Sequence, residues 1–224
     1  MLGLYVSVPI ASFRRGAARE FWETYPLPPP STVYGFLLSF VGETDRHRHV
    51  GARCTAGLIG EPETSTVLRQ FWRMKEAKAG IGRGVNVRPD FQQILSDVRL
   101  VVWLDSSDED QGDAATLTLE QRVQIALNPK ERAVVSRFGG LCLGESTHLV
   151  DEVSRLVVES HISGEPLQMY LAEGTGNLPL PVWVDHVGSI GTRYVNGRLV
   201  KSDGSPPDVD QLPRIETTES VVSK

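Results

Sequence analysis

Residues 13–42, FRRGAAREFWETYPLPPPSTVYGFLLSFVG, decide how this chain is read. A basic, aromatic-rich turn runs into the proline block 28–30, which sets an extended approach. Ser31 and Thr32 then offer hydroxyls to cap a helix. Val33, Phe36, Leu37, Phe40 and Val41 recur at helical spacing, so a helix over 31–41 is expected, with Gly42 as its stop. Such a start turns unpaired backbone N–H groups outward, an array suited to a phosphate backbone. An ordinary strand-to-helix connection has the same pattern, so function needs a second motif.

Upstream, residues 2–8 alternate. Leu2, Leu4, Val6 and Val8 share one face, which predicts a half-buried strand ended by Pro9. Downstream, 52–59 and 66–75 read as the next strands. In the second, Leu68, Gln70, Trp72 and Met74 share one face, and Arg69, Phe71, Arg73 and Lys75 the other. Cations around an aromatic on one side of a sheet suit phosphates and a stacked base; a solvated strand face suits the pattern equally. The basic, glycine-bearing segment that follows, with Lys78, Arg83 and Arg88, predicts a hairpin or loop. It matches neither the dinucleotide fingerprint nor the P-loop. Val98, Leu100, Val102 and Leu104 resume a strand, the acidic 106–113 reads as a solvated loop, and a helix carrying Leu119, Val123, Ala126 and Leu127 follows.

The second motif is RFGGLCLGES, residues 137–146, with Arg137, Gly139, Gly140, Gly144, Glu145 and Ser146. Glycines here let backbone N–H groups approach a ligand, or mark a tight bulge. His148 lies beside it and is a candidate RNA contact. His47 and His49 fall in a segment expected to be solvated, with no third ligand at a familiar metal spacing. The serine of GES lacks the frame of a nucleophile elbow. Beyond 150, LQMYLA, LPLPVWVDHV and IGTRYVNGRLV read as strands, with Asn196-Gly197 as a hairpin turn. Residues 201–224 are polar and proline-bearing, and a mobile tail is expected.

Taken together, the N-terminal strand, FRR, the YPLPPPSTVYG helix start, the basic middle and RFGGLCLGES resemble the Cas-five family of CRISPR-associated proteins. That family lies in the repeat-associated mysterious protein (RAMP) superfamily. The resemblance is to its DevS-like, Myxococcus-type branch, and covers about residues 1–200. It implies an α+β fold: a ferredoxin-like, RNA-recognition-motif-type domain over 1–150 with a protruding basic β-hairpin, or thumb, at about 75–96. A small C-terminal β subdomain is implied over 151–200.

It also implies a non-catalytic, RNA-binding subunit of a type I Cascade complex that caps the 5′ handle of CRISPR RNA. The implied protein partners are a Cas-seven-type backbone subunit and a Cas-eight-type large subunit, near target DNA at the protospacer-adjacent motif (PAM). The system serves antiviral defence or guided transposition with its own proteins. RNA contacts are implied at Phe13, Arg14, Arg15, Ser31, Thr32 and Tyr34, and at Gly139, Gly140, Gly144, Glu145 and Ser146. Arg69, Arg73, Lys75, Lys78, Arg83, Arg88, Arg137 and His148 join them as cations and a histidine near these motifs. One branch of the family cleaves precursor RNA without metal, using Tyr with an adjacent Lys-His pair. This chain has no Lys-His dipeptide, so binding rather than cleavage is expected. A metal-independent endoribonuclease and a stand-alone RNA-recognition module are the alternatives.

Composition agrees with these expectations. The 224 residues are 40% hydrophobic and 23% charged, enough for one large domain or two small ones. The net charge of −5 argues against coating nucleic acid with the whole surface. Charge is segregated, however: seven basic against three acidic residues lie between Val67 and Arg99, and six acidic with no basic between Asp105 and Glu120. No apolar run spans a bilayer, no signal-peptide pattern opens the chain, and two cysteines are too few for a disulfide framework. A cytoplasmic protein without cofactor, metal or membrane partner is expected.

Overall fold

In the computed structural model, residues 1–16, 21–72, 74–110 and 116–217 are described. Arg73 and the last residues of the expected tail lie outside them. The architecture is α+β, a largely antiparallel sheet with few helices.

Nine strands form one sheet among the described residues. They are β1 (Leu2–Ala11), β2 (Phe21–Trp22), β3 (Arg53–Ile59), β4 (Glu63–Trp72), β5 (Val87–Asp105), β6 (Glu152–Arg155), β7 (Leu167–Ala172), β8 (Leu178–Trp183) and β9 (Arg193–Ser202). The main order is β6-β1-β5-β3-β7-β9-β8, with β2 and β4 joined to β5. Among the described residues three α-helices accompany it, α1 (Pro30–Phe40), α2 (Leu119–Leu127) and the single turn α3 (Val158–His161).

The sheet is covered on both faces. Leu4, Val6, Leu100, Val102 and Leu104 meet Val33 and Leu37 of α1 and Leu119 and Val123 of α2 in one core. Val101, Trp103, Leu167 and Met169 meet Ile162 and Leu212 in the other. A central strand buried on both sides reads as a continuous apolar run, as LVVWL does.

Several expectations are corrected. β1 runs through Pro9: Val8 pairs Val98 and Ile10 pairs Ser96, while the intervening Asp97 takes φ 56°. β6 pairs only 4–7 of β1, so the missing proline N–H costs no ladder bond on that side. Asn196 and Gly197 lie inside β9, between β7 and β8, rather than in a turn. Gly197 allows that close approach, since a Cβ there would sit 2.3 Å from Leu180 Cδ1. β7 bonds β3, so the expected separate C-terminal β region extends the one sheet. The stretch 201–217 is not a loose tail. Leu212 and Ile215 are fully buried, and Ile215 N–H bonds Ala52 O (2.9 Å) while Cys54 N–H bonds Pro213 O (3.1 Å).

His49 is likewise not solvated but 1% exposed. Its Nδ1 lies 2.9 Å from Glu109 Oε2 and its Nε2 3.0 Å from Arg122. Arg122 also bonds Glu43, anchoring α2 beside the end of α1. Burial pushes the Glu43 carboxyl up, but hydrogen bonds from Arg122 and from Asp45 N–H outweigh it and hold the group at about 2. A depressed folded pKa stabilises above the ordinary carboxyl value of 4.5 and is lost as pH falls toward 2. Acid unfolding followed by circular dichroism checks this: Glu43→Gln is expected to lose less stability across that window than the wild type.

Candidate functional site

Both sequence motifs wall one groove of about 620 Å³ that runs along α1. Ser31, Thr32 and Ser39 line it from the helix, Arg137, Phe138 and Gly144 from the glycine-rich loop, and Arg46 and His186 from beyond. The helix start differs from the expected hydroxyl cap. Pro29 is the N-cap and Pro30 the first helical residue, with no side-chain cap. Thr32 and Val33 N–H both bond Pro29 O, so the outward array shrinks to the Ser31 N–H among the described residues. Ser31 and Thr32 keep their hydroxyls available on the groove wall.

The other end of α1 seats the second motif. Gly42 N–H bonds Ser39 O (3.2 Å) and Glu43 N–H bonds Leu38 O (2.8 Å), a Schellman motif with Gly42 at φ 69°. A Cβ on Gly42 would lie 2.1 Å from Ser136 O, so the loop rests on bare backbone. The loop then folds back on itself through Leu143 N–H to His148 O and Val150 N–H to Leu141 O. It docks on the exit of β1: Gly144, at φ 91°, would place a Cβ 2.6 Å from Ser12 O. Gly140 has no positive φ and would meet only the flexible end of Leu149, and Gly139, at φ 77°, meets open space.

Three expected RNA contacts are built into this scaffold. Phe13 is buried, 2% exposed, and packs beneath Gly144. Tyr34 is buried and its hydroxyl donates to Arg46 O (2.9 Å); burial pushes its ionisation well up. His148 accepts Ser12 N–H at Nδ1 (3.2 Å), which places its proton on Nε2. Burial, helped by Arg69 and opposed by Glu145, holds its pKa below the ordinary value.

From the groove the site continues onto the β4–β5 hairpin. Glu145 accepts hydrogen bonds from Arg69 (2.7 Å) and from the fully buried Gln92 (2.5 Å). Beside them Arg69 sits 5.2 Å from the Phe71 ring, Phe71 lies 4.5 Å from Trp22, and Arg14 lies 3.9 Å over Trp22. Arg69 and Phe71 meet on the strand face where the alternation puts them, whereas nothing in the spacing marks Trp22 or Gln92. β2, which carries Trp22, is too short for periodicity to reveal.

Much of the expected positive charge is already paired. Arg15 meets Glu23 (3.5 Å), Arg88 meets Asp90 (2.7 Å), and Arg69 meets Glu145. Among the described residues, Lys75, Lys78, Arg83 and Arg137 are exposed and form no ion pair. Ser146 is also exposed. The first three of those cations sit on the hairpin tip, which Asn86 organises. Its Oδ1 accepts Lys75 and Glu76 N–H, and its Nδ2 donates to Glu76 O and Gly80 O, all within 2.9 Å. Nothing in the spacing marked this buried asparagine. The hairpin's other face exposes Leu68, Trp72 and Phe91, with Phe21 of β2 beside Phe91.

The chain is 50% identical over 223 residues to CRISPR-associated protein Cas5 of Myxococcus xanthus (strain DK1622), covering 98% of this chain and 99% of that one. Among solved structures, it is similar to a chain of a CRISPR RNA-guided surveillance complex, with a TM-score of 0.55 and 13% identity. That match covers 93% of this chain and 95% of the other. It is also similar to a structure described as a Cas protein, with a TM-score of 0.50, 16% identity and coverage of 95% and 97%. At these identities the two structures share the fold. No family model matches.

The two glycines of the glycine-rich loop with positive φ, Gly139 and Gly144, separate by what surrounds them. Gly144→Ala combines left-handed strain with a backbone clash, and is expected to cost about 1–3 kcal/mol. Gly139→Ala meets no neighbour and is expected to cost only the strain, about 1–2 kcal/mol. Urea unfolding of the two variants, compared with the wild type, measures the difference.

Proposed function

The chain belongs to the Cas5 family of CRISPR-associated proteins, and we propose that it holds the 5′ handle of CRISPR RNA in a type I Cascade complex. The observation that carries the proposal is the convergence of the proline–helix motif and the glycine-rich loop on one groove, continued by the cation–aromatic ladder of the hairpin. In this reading the RNA backbone follows the groove past Arg137 and the hydroxyls of Ser31 and Thr32. It then crosses toward Lys75, Lys78 and Arg83. The partly exposed Trp22 and Phe71 offer stacking surfaces for unpaired bases, which RNA-binding sheets use in the same way. Glu145 does not repel the RNA outright, because Arg69 and Gln92 occupy its oxygens.

The apolar hairpin face of Leu68, Trp72, Phe91 and Phe21 supports docking of a protein neighbour. In the complex that neighbour is the backbone subunit of the Cas-seven type, with the hairpin acting as the thumb. The Cas-eight-type large subunit and the PAM end of the target DNA lie nearby in the same arrangement.

The proposed role is binding without cleavage. A 2′-hydroxyl attack needs a base and an acid within reach of the RNA. His148 is buried with Nδ1 occupied, and the Tyr34 hydroxyl is committed to a backbone carbonyl. In single-turnover incubation with excess protein, cognate repeat RNA is expected to remain uncut. A product ending in a 2′,3′-cyclic phosphate would overturn this part of the proposal.

Binding itself is tested by salt titration. Each phosphate contact to single-stranded RNA contributes about 0.7 to the slope of log affinity against log salt. Replacing Lys75, Lys78 and Arg137 with Ala is therefore expected to lower that slope by about 2. An unchanged slope in a filter-binding assay would remove these cations from the RNA path.

A further inference from the structure

A second groove, of about 770 Å³, lies between α2 and β6. β6 is one end of the sheet, and β8 with its groove-lining continuation Val184 and His186 is the other. The two ends treat their open edges differently. β8 carries Pro179 and Pro181, which lack N–H groups and blunt an edge against further pairing. β6, EVSR, carries no proline.

The register shows which groups of β6 are open. Leu156 N–H bonds Gly3 O, and Tyr5 faces Ser154 while Ser7 faces Glu152. Hydrogen-bonded and non-hydrogen-bonded pairs alternate in an antiparallel ladder, so the N–H and C=O of Val153 and Arg155 point away from β1. Among the described residues β6 has no strand on that side. Residues 153–155 line the groove, so the open edge faces into it.

The rest of the lining suits a polypeptide. Gln121, Gln124 and Asn128 present carboxamides, each able to accept from and donate to a peptide backbone. Ile125 and Leu127 add apolar floor beside Val153. Glu131 and Arg155 balance in charge, which gives a polyanion no net attraction.

We propose that this groove takes an extended, uncharged segment of another protein subunit, which adds to β6 as an antiparallel or parallel strand. Main-chain bonds to Val153 and Arg155 supply the register, and aliphatic side chains at alternate positions enter toward Ile125 and Leu127. The site is distinct from the RNA groove and from the apolar hairpin face. The proposal rests on the reading that this chain works inside a multi-subunit particle.

The test uses the chain alone and the particle co-purified with its co-expressed subunits and CRISPR RNA. Hydrogen–deuterium exchange of 149–157 is read in both. The Val153 and Arg155 amides are expected to exchange about tenfold or more slowly in the particle. Equal exchange in both states overturns the proposal while leaving the RNA-binding reading intact; failure of any particle to form overturns both. A dimer of the isolated chain with 149–157 already protected overturns it in favour of self-pairing.

Arg155→Pro removes one outward donor without touching the β1–β6 bonds. It is expected to lose a protein subunit from the particle, while Arg155→Ala keeps it and both variants bind repeat RNA as the wild type does. Full assembly of Arg155→Pro overturns the proposal. Should Arg155→Pro lose RNA binding as well, the exchange measurement on wild-type protein decides the question alone.

Discussion

Strand β5 is the constraint on which the rest of the molecule depends. It runs from Val87 to Asp105, and its two halves do different work. The C-terminal half sits between β1 and β3 and buries Val98, Leu100, Val101 and Val102 in two cores. Each such side chain stabilises the fold by about 1.5–3 kcal/mol. The N-terminal half pairs instead with β4, antiparallel, and with β2, parallel. The position of Gln92, and through it Glu145 and the glycine-rich loop, is thus inherited from the sheet register.

The glycine-rich loop illustrates how close contact substitutes for bulk. It is pinned at one end where Gly42 admits Ser136, and at the other where Gly144 admits Ser12. In between, Arg137 and Phe138 are left exposed on the groove wall. A loop held at both ends by backbone contact can present its middle to a ligand at little ordering cost on binding. This explains why only some of its glycines are structurally required. Gly139 and Gly140 lie in the presented part, where a Cβ would meet open space at Gly139 and only the flexible end of Leu149 at Gly140.

Legibility followed the strength of local patterning. The alternation of Leu2 to Val8 and the helical spacing from Val33 to Val41 each report a buried face directly, and both elements formed there, with β1 running on past Pro9 to Ala11 and α1 starting one residue earlier, at Pro30. The convergence of the two motifs on one groove was legible only through the family resemblance, because nothing local to either motif specifies the other. The errors have a common cause. Asn196-Gly197 is a turn signal whose strength assumes that the turn competes only with open chain. Here β9 has partners on both sides, and their ladders outweigh it. The polar composition of 201–217 hid buried side chains, Leu212 and Ile215 among them, that complete the end of β3. His49 read as solvated because its partners, Glu109 and Arg122, come from distant segments.

The distribution of charge follows from these geometric commitments. A carboxylate beside a path proposed for an anionic polymer is costly unless its oxygens are occupied. Glu145 meets that condition by holding Arg69 and satisfying the buried amide of Gln92, and in doing so it fixes a wall rather than adding attraction. In the proposed RNA-binding role, attraction comes from cations that no carboxylate restrains among the described residues, including Lys75, Lys78 and Arg83 on the hairpin tip and Arg137 on the groove wall. Division of this kind separates shape from charge. In that role the wall sets where a strand lies, and these cations draw it there with a strength that salt can modulate. A protein of net negative charge can therefore hold one polyanion in one place without attracting others over the rest of its surface.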